Sequence, residues 1–110
     1  MIIYHMTPAL AWQAHAKTEP YQVDTLATER FIHCTREADR LVQVANQFYH
    51  QISGDFVILS IETDLLTSEV RWEAADGHLF PHIYGPIQPE AVVAVMPFPR
   101  NPSGHFLPFI

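Results

Sequence analysis

Residues 31–62 read FIHCTREADRLVQVANQFYHQISGDFVILSIE, and this stretch decides the fold. Its first four residues, Phe31 to Cys34, are an apolar, β-prone tetrad that predicts a short buried strand. Thr35 follows as a hydroxyl N-cap, with Glu37 and Asp39 placed to favour the first turn of a helix. Ala38, Leu41, Val42, Ala45, Phe48, Tyr49 and Ile52 then recur at helical spacing and define one buried face. Gly54 closes that helix. Asp55 to Glu62 is apolar on both faces at Val57, Ile58 and Leu59, which predicts a central strand.

Upstream, Met1 to Tyr4 reads as an opening strand that ends at His5. Thr7-Pro8 marks a helix start, a hydroxyl cap followed by proline at the first helical position. That helix passes through Leu10, Trp12 and Ala14 toward Lys17, and Pro20 bars its continuation. Tyr21 to Arg30 is polar and reads as irregular. Downstream, Glu69 to Glu73 alternates as a strand, Ala75-Asp76-Gly77 turns, and Leu79 to Tyr84 extends again. Gly85-Pro86 turns, Ala91 to Met96 reads as a last buried strand, and the proline-rich tail reads as coil over the surface. Strand, helix, strand, helix, then consecutive strands is an α+β order. It predicts a mixed sheet of about six strands with two main helices on one side, in one domain spanning residues 1–110.

Composition narrows the function classes. A single cysteine, Cys34, cannot form an intramolecular disulfide, and with no export signal at the N-terminus it predicts a reducing, cytoplasmic setting. No apolar run approaches the roughly 20 residues that span a bilayer. The net charge is -6 with only 6 Lys+Arg, which argues against a long nucleic-acid partner. A nucleotide-sized ligand stays open, because one arginine or a helix N-terminus can hold a pyrophosphate.

Of the 7 histidines, three stand out. His5 closes the first strand just before a helix start, where free main-chain N–H groups favour ligands. A polar residue satisfying a strand-end carbonyl is the plainer reading. His33 sits inside an apolar tetrad and must find a partner or bear the cost of desolvation. Cys34 alternates to the opposite face and reads as an inert buried thiol. His82 lies in Phe80-Pro81-His82-Ile83-Tyr84-Gly85-Pro86, where His82 and Tyr84 share a strand face and Gly85 allows close backbone approach. Arg71 and Glu73 also share a face, either as an ion pair or with Glu73 as a catalytic carboxylate, and Glu62 is a rival carboxylate. His15, His50, His78 and His105 read as solvated. No H-x-H, HExxH or C-x-x-C spacing supports a metal site.

Ile3-Tyr4-His5, Phe31-Ile32-His33-Cys34-Thr35, Arg71-Trp72-Glu73 and Phe80-Pro81-His82-Ile83-Tyr84-Gly85 together resemble a small bacterial family catalogued as domain of unknown function 952. That family has been grouped by remote similarity with the ADP-ribosyltransferase fold. The resemblance implies a split, highly curved mixed sheet with an NAD-binding cleft. It implies His5 as a ribose contact, with Thr35, Tyr84 and Gly85 as further cofactor-binding candidates. Glu73, His33 and His82 are the implied catalytic candidates. Many relatives carry glycine directly after the first histidine, where this chain has Met6. The implied activity is release of nicotinamide from NAD and transfer of ADP-ribose to an acceptor that the sequence does not name. A nucleotide-sensing module without turnover is the alternative, and a metal-dependent enzyme using His5, His33 and His82 ranks behind both.

Overall fold

The β-branched and aromatic residues pair across long sequence distances in this computed structural model, which describes all of residues 1–110. Strand β1 (Ile2–Pro8) leads into helix α1 (Ala9–Ala14), helix α2 (Asp24–Glu29) and the two-residue strand β2 (Ile32–His33). Helix α3 (Ala38–Phe48) and strand β3 (Phe56–Glu62) follow, and the hairpin β4 (Glu69–Ala75) and β5 (His78–Tyr84) precedes the last strand, β6 (Val92–Pro97). The six strands form two three-stranded sheets, ordered β1-β3-β6 and β2-β5-β4. No helix is long and apolar enough to cross a membrane.

A seam between the sheets positions everything that follows. Tyr4 N–H donates to the Thr35 carbonyl at 2.7 Å and Thr35 N–H returns a bond to the Tyr4 carbonyl at 2.8 Å. This pair carries the end of β2 against β1 and sets His5 beside His33.

β3 is central, as its two-faced apolar pattern predicts. Leu59 and Ile61 join Ile3, Ile32, Cys34 and Ile83 in one apolar cluster. Phe56 and Ile58, on the opposite face, join Met6, Leu41, Ala45, Phe98 and Phe106 in a second. The period-two alternation of one strand therefore feeds two cores.

Several sequence expectations are corrected. Every ladder is antiparallel, so neither sheet is mixed. The chain joins β4 to β5 by a tight turn at Asp76-Gly77, and it brings β1, β3 and β6 together in alternating directions rather than through a parallel crossover. There are three helices rather than two, because Asp24 to Glu29 is helical. That segment has no buried residue and hence no full apolar stripe to announce it.

Thr7 caps nothing: β1 runs on to Pro8, and the Thr7 hydroxyl bonds Tyr21 Oη at 2.6 Å. Thr35 is likewise not a cap, since its main chain is held by Tyr4, and α3 begins at Ala38. Phe48 and Ile52 are exposed because α3 stops at Phe48, before its apolar spacing completes another turn. Pro81 lies inside β5, the middle strand of its sheet. β6 is an edge strand with Val93 and Val95 exposed rather than a buried one, because only β3 pairs with it.

The tail is coil, yet it is not merely draped over the surface. Phe98 and Phe106 are buried. Asn46 clamps Phe106, its amide donating to the Phe106 carbonyl at 3.0 Å and accepting from Phe106 N–H at 2.7 Å.

Candidate functional site

The three singled-out histidines come from three strands in two sheets. His5 is on β1, His33 on β2 and His82 on β5, where His33 and His82 are paired register partners. His5 Nδ1 lies 2.7 Å from the main-chain carbonyl oxygen of His33. A carbonyl only accepts, so Nδ1 carries the proton and Nε2 presents its lone pair. That Nε2 is buried without a protein partner. Burial pushes the His5 pKa down to about 4, against a partial upward pull from the bond to His33, so the ring is neutral at physiological pH.

The His33 ring points the other way. Its Nε2 meets Glu29 Oε2 at 2.5 Å, an exposed contact from the end of α2. Its ring packs edge-on to His82 with centroids 5.3 Å apart. Cys34 alternates inward, as expected, and burial raises its thiol pKa, which leaves it a poor nucleophile.

On the hairpin, Glu73 neither pairs with Arg71 nor stands free. Glu73 Oε1 accepts from His82 Nδ1 at 2.8 Å and from Tyr84 Oη at 2.5 Å. The Tyr84 bond first, and the His82 bond second, hold the Glu73 carboxyl below the usual carboxylate range. The same bond raises the Tyr84 hydroxyl. Arg71 pairs with Glu69 at 3.0 Å, and its guanidinium lies over the Tyr84 ring at 4.1 Å. His82 is thus buried and oriented through Nδ1 by an anion, the arrangement that fixes an imidazole tautomer. Glu62, the rival carboxylate, accepts from the Met1 amine at 2.6 Å and from Asp64 N–H at 3.2 Å.

Phe31 is the residue that sequence reading left in the strand core. Its ring stacks on His82 at 4.1 Å with an interplanar angle of 16°, and it also approaches His33 and Tyr84. No spacing rule reveals this, because Phe31 stands outside the two residues that pair as β2. Glu29 was equally unmarked in a segment read as irregular.

Two cavities adjoin along this line. A cleft of about 580 Å3 is lined by Phe31, His33, Thr35, Arg40, Phe48 and His82, among others. A second, of about 390 Å3, is lined by His5, Thr25, His33, Thr35 and Tyr49, among others. His33 and Thr35 border both. Glu73, Tyr84 and Gly85 border neither, so Glu73 and Tyr84 reach the cleft only through His82. The neighbour that Gly85 accommodates is Ser68, whose Oγ lies 2.5 Å from where a Cβ would stand. No group of three His, Cys, Asp or Glu side chains is placed to hold a metal ion. His15 and His50 are less solvated than their surroundings in sequence suggest. His15 packs on Trp12 and Tyr21, and His50 on His105.

Comparison with known proteins places this geometry. Protein CC0527 from Caulobacter crescentus has a similar fold. Its crystal structure matches with a TM-score of 0.82 at 21% identity, covering 97% of this chain and 94% of that one. Its solution structure gives a TM-score of 0.71 at 24% identity, covering 94% and 89%. No curated protein matches. The model of the family described as "Protein of unknown function (DUF952)" matches residues 6–95, and the chain belongs to that family.

Proposed function

We propose that the paired cavities bind a nucleotide-like ligand, with NAD the candidate, and that the protein is an ADP-ribosyltransferase-like transferase. The observation that carries this reading is the convergence of His5, His33 and His82 from three strands onto two adjoining cavities. A ligand of nucleotide size has a polar sugar, a charged phosphate and a planar base, and the cavities offer a match for each. The unpartnered His5 Nε2 can accept from a sugar hydroxyl. Arg40, on the wall of the larger cleft, can meet phosphate. Phe31 and His82 supply flat faces for a planar ring.

The chemistry is cleavage of the C–N glycosidic bond, whose electron pair leaves on the nicotinamide. The acceptor's lone pair forms the new bond at the same carbon. His82 Nε2 takes the acceptor's proton, while Glu73 holds Nδ1–H in place and stabilises the imidazolium that results. Glu73 therefore acts through His82, and Tyr84 positions Glu73.

A binding module without turnover is the second reading. It is favoured by the placement of Glu73, which borders neither cavity.

An NMR titration of labelled protein with NAD, followed by a nicotinamide-release assay, tests both. Saturable shifts at His5, His33 and His82 together with release that is lost in His82→Ala support the transferase. Shifts without release leave the binding module, and no shifts remove NAD from consideration.

A further inference from the structure

Two residues that border the same cavity each carry a buried side-chain polar atom without a partner. One such atom is His5 Nε2, an acceptor because Nδ1 donates to the His33 carbonyl. The other is Thr25 Oγ1, in the first turn of α2. An unsatisfied buried hydroxyl is costly and therefore informative. Thr28, one turn later in the same helix, satisfies its hydroxyl by donating to the Asp24 carbonyl at 3.3 Å. Thr7, which also lines this cavity, bonds Tyr21. Thr25 does neither, so its hydroxyl is left for whatever enters.

The rest of the lining narrows the chemistry. No lysine or arginine borders this cavity, and Asp24 stands at its wall, which disfavours an anion. Arg40 borders only the neighbouring cleft. An alcohol matches the two orphan atoms at once, donating its proton to His5 Nε2 and accepting one from Thr25 Oγ1.

We propose that Thr25 is a ligand-binding residue, which with His5 forms a two-point receptor for a hydroxyl group on a neutral, sugar-like part of the ligand. The assignment of the sugar to a nucleotide rests on the reading above, but the receptor itself does not. α2 is consequently part of the binding wall, and it is held there by packing of Val23 and Leu26 on the core rather than by any buried residue of its own.

The test uses ADP-ribose and free D-ribose as probes on wild type, Thr25→Val and Thr25→Ser, with native NMR spectra confirming the fold of each. Thr25→Val keeps the shape and removes the hydroxyl, and is expected to weaken ADP-ribose binding roughly tenfold, as loss of one buried hydrogen bond implies. Thr25→Ser restores the hydroxyl and is expected to bind within roughly threefold of wild type. Equal ADP-ribose affinity in wild type and Thr25→Val overturns the proposal while leaving the nucleotide reading standing. If neither NAD nor ADP-ribose binds, a D-ribose-dependent shift of His5 Nε2 that disappears in Thr25→Val supports the receptor alone. Absence of that shift as well overturns both.

Discussion

His5 Nδ1 donates to the main-chain carbonyl oxygen of His33 at 2.7 Å, and this bond joins a side chain of one sheet to the backbone of the other. The bond fixes the tautomer, whereas burial, against the upward pull of that bond, keeps the ring neutral, which has a consequence for pH. The unfolded chain takes a proton on His5 near its ordinary pKa of 6.5, whereas the folded chain does so only near 4. Between those values the unfolded state binds more protons, so stability falls as pH drops through that window and levels off below it. The His5 contribution is about 3 kcal/mol. Urea unfolding from neutral pH to pH 4 is expected to show a shallower decline in His5→Gln than in wild type. Identical declines in the two proteins contradict the burial account.

Glu73 sets the tautomer of His82. Its removal in Glu73→Ala is expected to shift His82 away from the Nδ1-protonated form, read from imidazole nitrogen chemical shifts. In the transferase reading, nicotinamide release falls with it by roughly a hundredfold or more. Tyr84→Phe removes one of the two donors to Oε1 and leaves the His82 bond. A smaller loss than that of Glu73→Ala is expected, and a larger one would place Tyr84 in direct contact with the reaction.

Gly85 is strained for any other residue. Its φ is 155°, and a Cβ would lie 2.5 Å from Ser68 Oγ and 2.9 Å from Ser68 Cβ. Ser68 is anchored by donating to the Pro86 carbonyl at 2.6 Å, so it does not move aside freely. Gly85→Ala is expected to lower stability by about 1–3 kcal/mol, checked by chemical denaturation. The double variant Gly85→Ala/Ser68→Gly recovers part of that loss if the clash is its cause.

Arg100 ties the turn that follows α3 to the tail. Its guanidinium donates to the carbonyls of Gly104, Gly54, Tyr49, His50 and Ile52. These are the carbonyls of the turn after α3, of the β3 approach and of the tail itself. Arg100→Ala leaves several acceptors unpaired and is expected to cost about 2–4 kcal/mol. Hydrogen exchange is expected to quicken at Phe106 and at the end of α3 rather than in β4 and β5. Uniform quickening would mean that the tail does not unfold as a separate unit.

The order of elements was legible in local patterns because each pattern reports on its own neighbourhood. β3 announced itself as central through apolar residues on both faces, and α3 through Leu41 and Ala45 at helical spacing. Alternation placed Cys34 inward, and it placed Arg71 with Glu73 and His82 with Tyr84. Capping was less legible, since Thr7 and Thr35 carry the right chemistry but are held by Tyr21 and Tyr4 instead.

The sequence by itself therefore determined the α+β order, the central strand, and the three histidines as the residues of interest. Only the tertiary structure decided that the sheet divides at the Tyr4–Thr35 seam and that Glu73 serves His82 rather than Arg71. It also decided that Phe31 covers His82 and that Thr25 faces the same cavity as His5. The physical reason is common to all four. Periodicity and capping encode which way a side chain points from its own element, whereas its partner on another element is chosen by strand register and by how the elements meet.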